Sequence, residues 1–320
     1  MRVFVTGAAG FVGSRLSRTL LDRGDTVLGF DNFDPYYERR HKDRHLLDLL
    51  QDPRFELVEG DLRSSEAVDR SLLGFQPDAV AHLAGMAAVR YSVEHPLVYS
   101  DVNVQGSIHV LDAARRCAGA PSVVMASTGS VYGSDTEAPF SEESPAIRPL
   151  APYPASKRAM ELFAYTYSHL WGVPTTVLRF FNVYGPHGRP DMMPWKWAQQ
   201  ISAGEPLTLF DAGRLKRDWT YIDDIVRGFI AALDARLTGE VMNIGCGNPV
   251  ENLRFVEVLE QLLDKQARVI DVPAPPSEPK ITFADITRAG KRLGYRPQVQ
   301  VEEGLSRFVA WMREVGELPS

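Results

Sequence analysis

Cysteine is nearly absent from this 320-residue chain: only Cys117 and Cys246 occur, far apart and outside any metal-ligand spacing. That excludes a disulfide scaffold and a cysteine-held zinc; two buried thiols in a reducing compartment are expected. Positive charge is not in excess either. With a formal charge of -6 there is no basic stripe for nucleic acid or an anionic membrane surface, so local arginines must do any anion binding. No apolar run approaches the roughly 20 residues a spanning helix needs. The chain opens on Arg2-Val3-Phe4-Val5, a strand pattern, where a signal peptide would carry a charged then an apolar region. A cytoplasmic protein without signal peptide is the expectation. Repeats and low-complexity tracts are lacking as well. What remains, 44% hydrophobic and 24% charged residues, is the composition of a globular chain with a large core.

Up to about residue 180, short aliphatic or β-branched runs alternate with longer amphipathic segments, the pattern of βαβ units around a parallel sheet. Strands are predicted at Val3–Val5, Thr26–Asp31, Phe55–Val58, Ala79–Leu83, Val123–Ala126 and Thr175–Leu178, and helices at Val12–Leu21 and Val104–Arg116. This predicts an α/β fold with a Rossmann doubly wound parallel sheet over 1–180. Beyond 180 the alternation breaks up, with Gly185-Pro186, Arg189-Pro190, Pro194-Trp195 and Pro273 to Pro279. Residues 181–320 are therefore expected to form mainly a smaller C-terminal substrate-binding lobe, with some segments returning to the core. Helices are predicted there at Asp224–Leu233, Phe255–Leu263 and Val301–Met312.

Directly after the first strand comes Gly7-Ala8-Ala9-Gly10-Phe11-Val12-Gly13. Glycines suit a turn whose backbone must approach a pyrophosphate seated at a helix N-terminus. The second strand ends in Asp31, eighteen positions beyond Gly13, where a carboxylate would accept hydrogen bonds from a ribose diol. A 2′-phosphate would meet like charge there, so NAD is expected rather than NADP. Asp61-Leu62, after the third strand, reads either as an adenine contact or as the N-cap of a helix entering Ser64-Ser65.

Tyr153-Pro154-Ala155-Ser156-Lys157 places a tyrosine and a lysine four apart, on one helical face. An ammonium near a phenol would favour the phenolate and make Tyr153 a general base. Such a pair alone is usually a surface feature. Ser127-Thr128-Gly129-Ser130-Val131-Tyr132-Gly133 follows the fifth strand, at the carboxyl edge where doubly wound sheets bind ligands.

Glycine-rich turn, hydroxyl after a strand, then YxxxK: in this order the chain resembles the extended short-chain dehydrogenase/reductase family. Further stretches share the likeness, which covers nearly the whole chain: Ala81-His82-Leu83-Ala84-Gly85, Asn103-Val104-Gln105-Gly106, Arg179 to Pro186, and Arg217-Asp218-Trp219-Thr220-Tyr221-Ile222-Asp223-Asp224, the last like a nucleotide-sugar block. The resemblance implies Thr128, Tyr153 and Lys157 as catalytic residues. It implies a cofactor pocket of Gly7, Gly10, Phe11, Val12, Gly13, Asp31, Asn32, Asp61, Leu62, Leu83, Ala84, Gly85, Asn103 and Phe180, shared with Tyr153 and Lys157. A sugar nucleotide would meet Arg90, Ser127, Thr128, Ser130, Asn182, Thr208, Phe210, Arg217 and Glu278. Family members often dimerise through helices corresponding to Val104–Arg116 and Tyr153–Leu170, so a homodimer is implied.

Within that family, dehydratases carry Asp-Glu before the Val-Tyr-Gly and decarboxylases a Glu. Here the pair is Gly129-Ser130, which leaves reversible hydride transfer at one carbon, hence epimerisation of a UDP-sugar. Four stretches resemble the UDP-glucuronate 4-epimerases: Asp31 to Tyr37, Ala88-Val89-Arg90-Tyr91-Ser92, Gly188-Arg189-Pro190-Asp191-Met192 and Trp219 to Asp224. Arg189 is then the candidate partner of the sugar carboxylate; otherwise it is a solvated loop arginine. Two departures keep alternatives open. Asn182 stands where those epimerases usually have threonine and UDP-galactose or N-acetylhexosamine epimerases have asparagine, and Pro276-Ser277-Glu278-Pro279 replaces a Pro-Gly-Asp-Val-like segment. The alternatives are a 4-epimerase of UDP-glucose/galactose or UDP-N-acetylhexosamine, a non-catalytic dinucleotide-binding regulator, and a scaffolding role.

Overall fold

The computed structural model describes residues 1–134, 136–275 and 278–319, so Pro276 and Ser277 lie outside the described residues. Six parallel strands, β1 (Arg2–Thr6), β2 (Thr26–Asp31), β3 (Phe55–Glu59), β4 (Ala79–His82), β5 (Ser122–Thr128) and β6 (Thr175–Phe180), fall where the apolar runs predict them. A seventh, Glu240–Ile244, was not anticipated from the sequence. It pairs with β6, and the sheet reads Glu240–Ile244, β6, β5, β4, β1, β2, β3. This strand falls beyond residue 180, where the alternation that marks the other six breaks up.

Both faces of the sheet are covered, so alternate residues of one strand enter different cores. Val3 and Val5 of β1 join one cluster, in which Leu16 and Leu20 pack with Trp195, Trp219, Phe255 and Phe308. Phe4 joins the other, with Val110, Leu111, Met160 and Ala164. The first cluster welds the sheet to elements beyond residue 180. There the helices Ile222–Ala235, Asn252–Leu263 and Val301–Glu314 extend the predicted ones by up to a turn, and Met193–Ala203 is a helix the sequence reading left out. Short strands complete this part: Pro206–Phe210 pairs with Arg268–Val272, and Lys216–Arg217 lies between Val250–Glu251 and Ile281–Thr282.

The helix Pro152–Trp171 positions the site. Pro152 at its first turn needs no amide partner, and Gly172, at φ +67°, closes it. Tyr153, Lys157, Met160, Glu161, Ala164 and Ser168 are its buried stripe, spaced so that one face meets the sheet. Leu162, Tyr165, Leu170 and Trp171 are exposed on the other. The expected helix Val104–Arg116 divides into a wide π-type turn, Ser100–Gln105, and a regular helix Gly106–Arg116. Among the described residues no helix is long and apolar enough to cross a membrane.

Candidate active site

The glycine-rich turn is built for close approach. Gly7 sits at φ +72°, and a Cβ there would lie 2.8 Å from the Ala84 amide nitrogen; one on Gly13 would lie 2.0 Å from the Gly7 carbonyl oxygen. The helix that follows, Phe11–Asp22, has Gly10 as a cap with no side-chain acceptor and no acidic residue in its first turn. Its free amides and positive end suit a diphosphate.

Asp31 binds this turn rather than standing free at the strand end. It accepts from the amides of Ala9 (3.1 Å) and Phe33 (2.8 Å) and meets Lys42 Nζ at 3.4 Å. His45 donates through Nδ1 to the Ala9 carbonyl; burial pushes this imidazole down to about 3, so it is a neutral strut. Asn32 donates to Asp61, which also takes a fork from Arg63. Asp61 is not the helix cap: Ser64 accepts from the Ala67 amide instead, because only its shorter arm stands at the cap position of Ser65–Phe75. Leu62 is buried. Thr6 Oγ1 accepts from the amides of Leu83 and Ala84, which fixes the β4 edge leading to Gly85. Asn103, fully buried, clamps the backbone of Met86 and donates to Ser156. Phe180 ends β6, half buried.

Three consecutive residues at the end of β5 meet three turns of the helix Pro152–Trp171. The Ala126 carbonyl accepts from Lys157 Nζ at 3.0 Å, and the Ser127 hydroxyl donates to Glu161 at 2.6 Å. Thr128 stands near enough to the Tyr153 phenol to lower it. Ser127 is therefore corrected from sugar contact to helix anchor, since strand alternation turns it to the face opposite Thr128. Ser130 and Arg90 are exposed.

For Tyr153 burial is the dominant influence. It raises the phenol above the ordinary value, and Thr128 and the Arg189 charge oppose this. Lys157 is itself lowered by burial to about 8, with Glu161 holding it up, so it remains an ammonium at neutral pH.

Tyr153 belongs to a row of aromatics. Its ring lies 6.1 Å from Tyr99, Tyr99 lies 6.5 Å from Tyr91, and Tyr91 lies 5.2 Å from Tyr36. Arg189 stands over Tyr36 at 5.6 Å and closes the row. It is not a solvated loop arginine: Asp191 takes its Nε at 2.9 Å and its Nη2 at 2.6 Å.

On the distal lobe, Arg217 and Glu278 pair with each other at 2.5 Å. Asn182 accepts through its backbone carbonyl from the Thr220 amide. Thr208 and Phe210 share the open face of Pro206–Phe210, while Leu207 and Leu209 face inward.

The sequence reading passed over Glu161, Asp191, Tyr36, Lys42 and His45. Glu161 had a signal, since Tyr153, Lys157 and Glu161 recur at four-residue spacing. Tyr36 and Asp191 lie in loops, and Lys42 and His45 on the short helix Arg39–Leu46; what each of them meets is distant in the chain, and no periodicity reports it.

An uncapped helix behind a glycine turn, with a tyrosine, lysine and hydroxyl buried at the carboxyl edge of a parallel sheet, defines a nicotinamide-dependent enzyme acting on an alcohol or carbonyl. The family follows from comparison. The model of the NAD dependent epimerase/dehydratase family matches residues 3–245, and the chain belongs to that family. It is 40% identical to a UDP-glucuronate 4-epimerase of Thermodesulfobacterium geofontis, over 98% of this chain and 97% of that one. It is 38% identical to a probable UDP-glucuronate 4-epimerase of Rhizobium meliloti, over 97% and 96%. The fold superposes on the Bacillus cereus UDP-glucuronic acid 4-epimerase, solved with UDP-glucuronic acid and NAD, with a TM-score of 0.91, 34% identity and coverage of 98% and 100%.

Proposed function

We propose that the protein interconverts UDP-glucuronate and UDP-galacturonate by NAD-dependent epimerisation at C4. The observation that carries this reading is a guanidinium, Arg189, held by Asp191 at the end of the aromatic row that starts at Tyr153. A fixed cation on the same row as the base that acts at C4 is what a sugar with a carboxylate at C6 calls for. The relatives named above support the same substrate.

Tyr153 takes the proton of the C4 hydroxyl, and Thr128 holds the same oxygen. When bound, NAD would supply the hydride acceptor and donor for C4. The 4-ketone would turn in the pocket so that its opposite face receives the hydride, and Tyr153 would return the proton to the C4 oxygen. Lys157 holds the nicotinamide ribose. The glycine turn, Asp31 and Asn32, Asp61 and Leu62, the Leu83–Gly85 edge, Asn103 and Phe180 complete the cofactor pocket within 1–180. Residues 181–320 form mainly the sugar-nucleotide lobe, with Asn182, Arg189, Thr208, Phe210, Arg217 and Glu278 facing the ligand and Arg90 and Ser130 at its rim.

The enzyme works as a cytoplasmic homodimer. Exposed Leu162, Tyr165, Leu170 and Trp171 on the catalytic helix, with Arg115 of the neighbouring helix over Trp171 at 5.0 Å, supply an apolar face suited to self-association.

The test is product formation by NMR together with binding by Arg189→Ala. UDP-galacturonate should form from UDP-glucuronate, and the variant should bind UDP-glucuronate about 10- to 100-fold more weakly, the scale of a charged hydrogen bond. UDP-glucose binding should barely change. Equal losses for both ligands would instead favour the neutral-sugar reading to which the identity of Asn182 points.

A further inference from the structure

Arg189 would be a poor carboxylate clamp on its own. Its long stem has many rotamers, and the guanidinium must be held in one plane for a bidentate grip to cost little on binding. The surroundings of this side chain provide that hold from three sides.

Asp191, two residues along the same loop, engages the Nε and Nη2 edge in a two-point fork. Tyr36 lies against the guanidinium, 5.6 Å from its ring centre, and its hydroxyl donates to the same Asp191 Oδ2 at 3.2 Å. The loop is braced by the Met192 amide, which donates to the Arg189 carbonyl. A carboxylate on the Nε and Nη2 edge leaves the Nη1 and Nη2 edge for an incoming anion.

We infer that Asp191 and Tyr36 are positioning residues that set selectivity for a uronic acid, holding the outer edge of Arg189 toward the sugar carboxylate without touching the substrate themselves. The inference rests on the glucuronate reading above. It adds that the selectivity belongs to a triad drawn from two distant loops, one of which, 31–37, also carries the cofactor carboxylate Asp31.

The experiment is titration calorimetry of NAD-loaded protein with UDP-glucuronate and with UDP-glucose, for wild type, Asp191→Asn, Asp191→Glu, Tyr36→Phe and Arg189→Ala. Asp191→Asn should weaken UDP-glucuronate about ten-fold, the loss expected when a charge-assisted fork is replaced by an amide, and should move UDP-glucose by less than about two-fold. Tyr36→Phe should give a smaller loss with the same selectivity. Asp191→Glu keeps both acceptor oxygens and should recover most of the affinity, which a fold defect would not. Equal weakening of both ligands would overturn the inference by making the triad structural. Tighter UDP-glucuronate binding in Asp191→Asn would overturn it too, by making Asp191 a competitor for the fork. Should Asp191→Asn fail to fold, the Tyr36→Phe selectivity decides alone. The two readings fail separately: an unselective Arg189→Ala sinks the glucuronate assignment, whereas a selective Arg189→Ala beside an unselective Asp191→Asn sinks only the triad.

Discussion

Two arginine–carboxylate forks of nearly the same shape occur in the molecule. In one, Arg179 meets Glu161 through Nε at 3.0 Å and Nη2 at 2.7 Å. In the other, Arg189 meets Asp191 at 2.9 and 2.6 Å. The side chains of the first are 3% and 0% exposed, those of the second 18% and 25%. The first is sealed between the sheet and the catalytic helix, where Ser127 and Arg158 also bind Glu161. The second lies in a loop and is partly open to solvent. The same chemistry is sealed in the interior in one place and, on the function proposed above, serves recognition in the other.

That division predicts that cleft residues change rate or selectivity and leave stability alone, while sealed residues do the reverse. The strongest test on the cleft side is Tyr153→Phe. Losing a positioned acid–base group should lower kcat by roughly two to four orders of magnitude. The phenol hydroxyl is not part of the interior network, so the unfolding midpoint should stay near that of wild type. A variant turning over at near wild-type kcat would remove Tyr153 from the chemistry.

On the sealed side the sharpest cut is Glu161→Ala. It leaves Arg179, whose Nη1 already lacks a protein partner, as an uncompensated buried cation. Breaking one half of such a pair costs about 3–5 kcal/mol, to be read from urea unfolding of the NAD-loaded protein. A loss below about 1 kcal/mol would mean the interior fork is as dispensable as a surface ion pair, and the contrast between the two forks would collapse.

The same contrast explains what could be read from the chain. The inner strands are near-continuous aliphatic runs because both faces of a parallel sheet are buried, and the regular βαβ alternation of residues 1–180 made even the edge strand β3, largely open to solvent, legible. The turn at Gly7 and Gly13 was legible because only glycine fits where a Cβ would strike backbone. Glu240–Ile244, the opposite edge, was not, since it lies beyond residue 180 where that alternation breaks up. At the site, Tyr153, Lys157 and Thr128 declared themselves by spacing and order. The Asp191 fork and Tyr36 did not, because they join loops 155 residues apart. The setting of the Tyr153 phenol was legible only in part for a related reason. Sequence supplies its neighbour Lys157 but not its burial, and burial outweighs the local charges.

The smallest of these effects belongs to the residue between the two regions. Thr128 ends the strand whose preceding residues anchor the helix, and its hydroxyl accepts from the Ser130 amide at 3.1 Å. Burial raises the Tyr153 phenol, and Thr128 and Arg189 bring it down. Thr128→Ala removes one of the two lowering influences, so the phenol rises further and a smaller fraction is phenolate at any given pH. The rising limb of kcat against pH should therefore move to higher pH, and added base should recover part of the lost rate. At neutral pH the loss should be about ten-fold, the scale of one hydrogen bond. Wild type and variant carry the same cofactor, so its charge cancels in the comparison. Thr128→Ser keeps the hydroxyl and should return the limb to its original place. If instead the Thr128→Ala profile is merely lower and overlays wild type after scaling, Thr128 orients the sugar oxygen without tuning the base, and Arg189 is left as the one group that lowers the phenol.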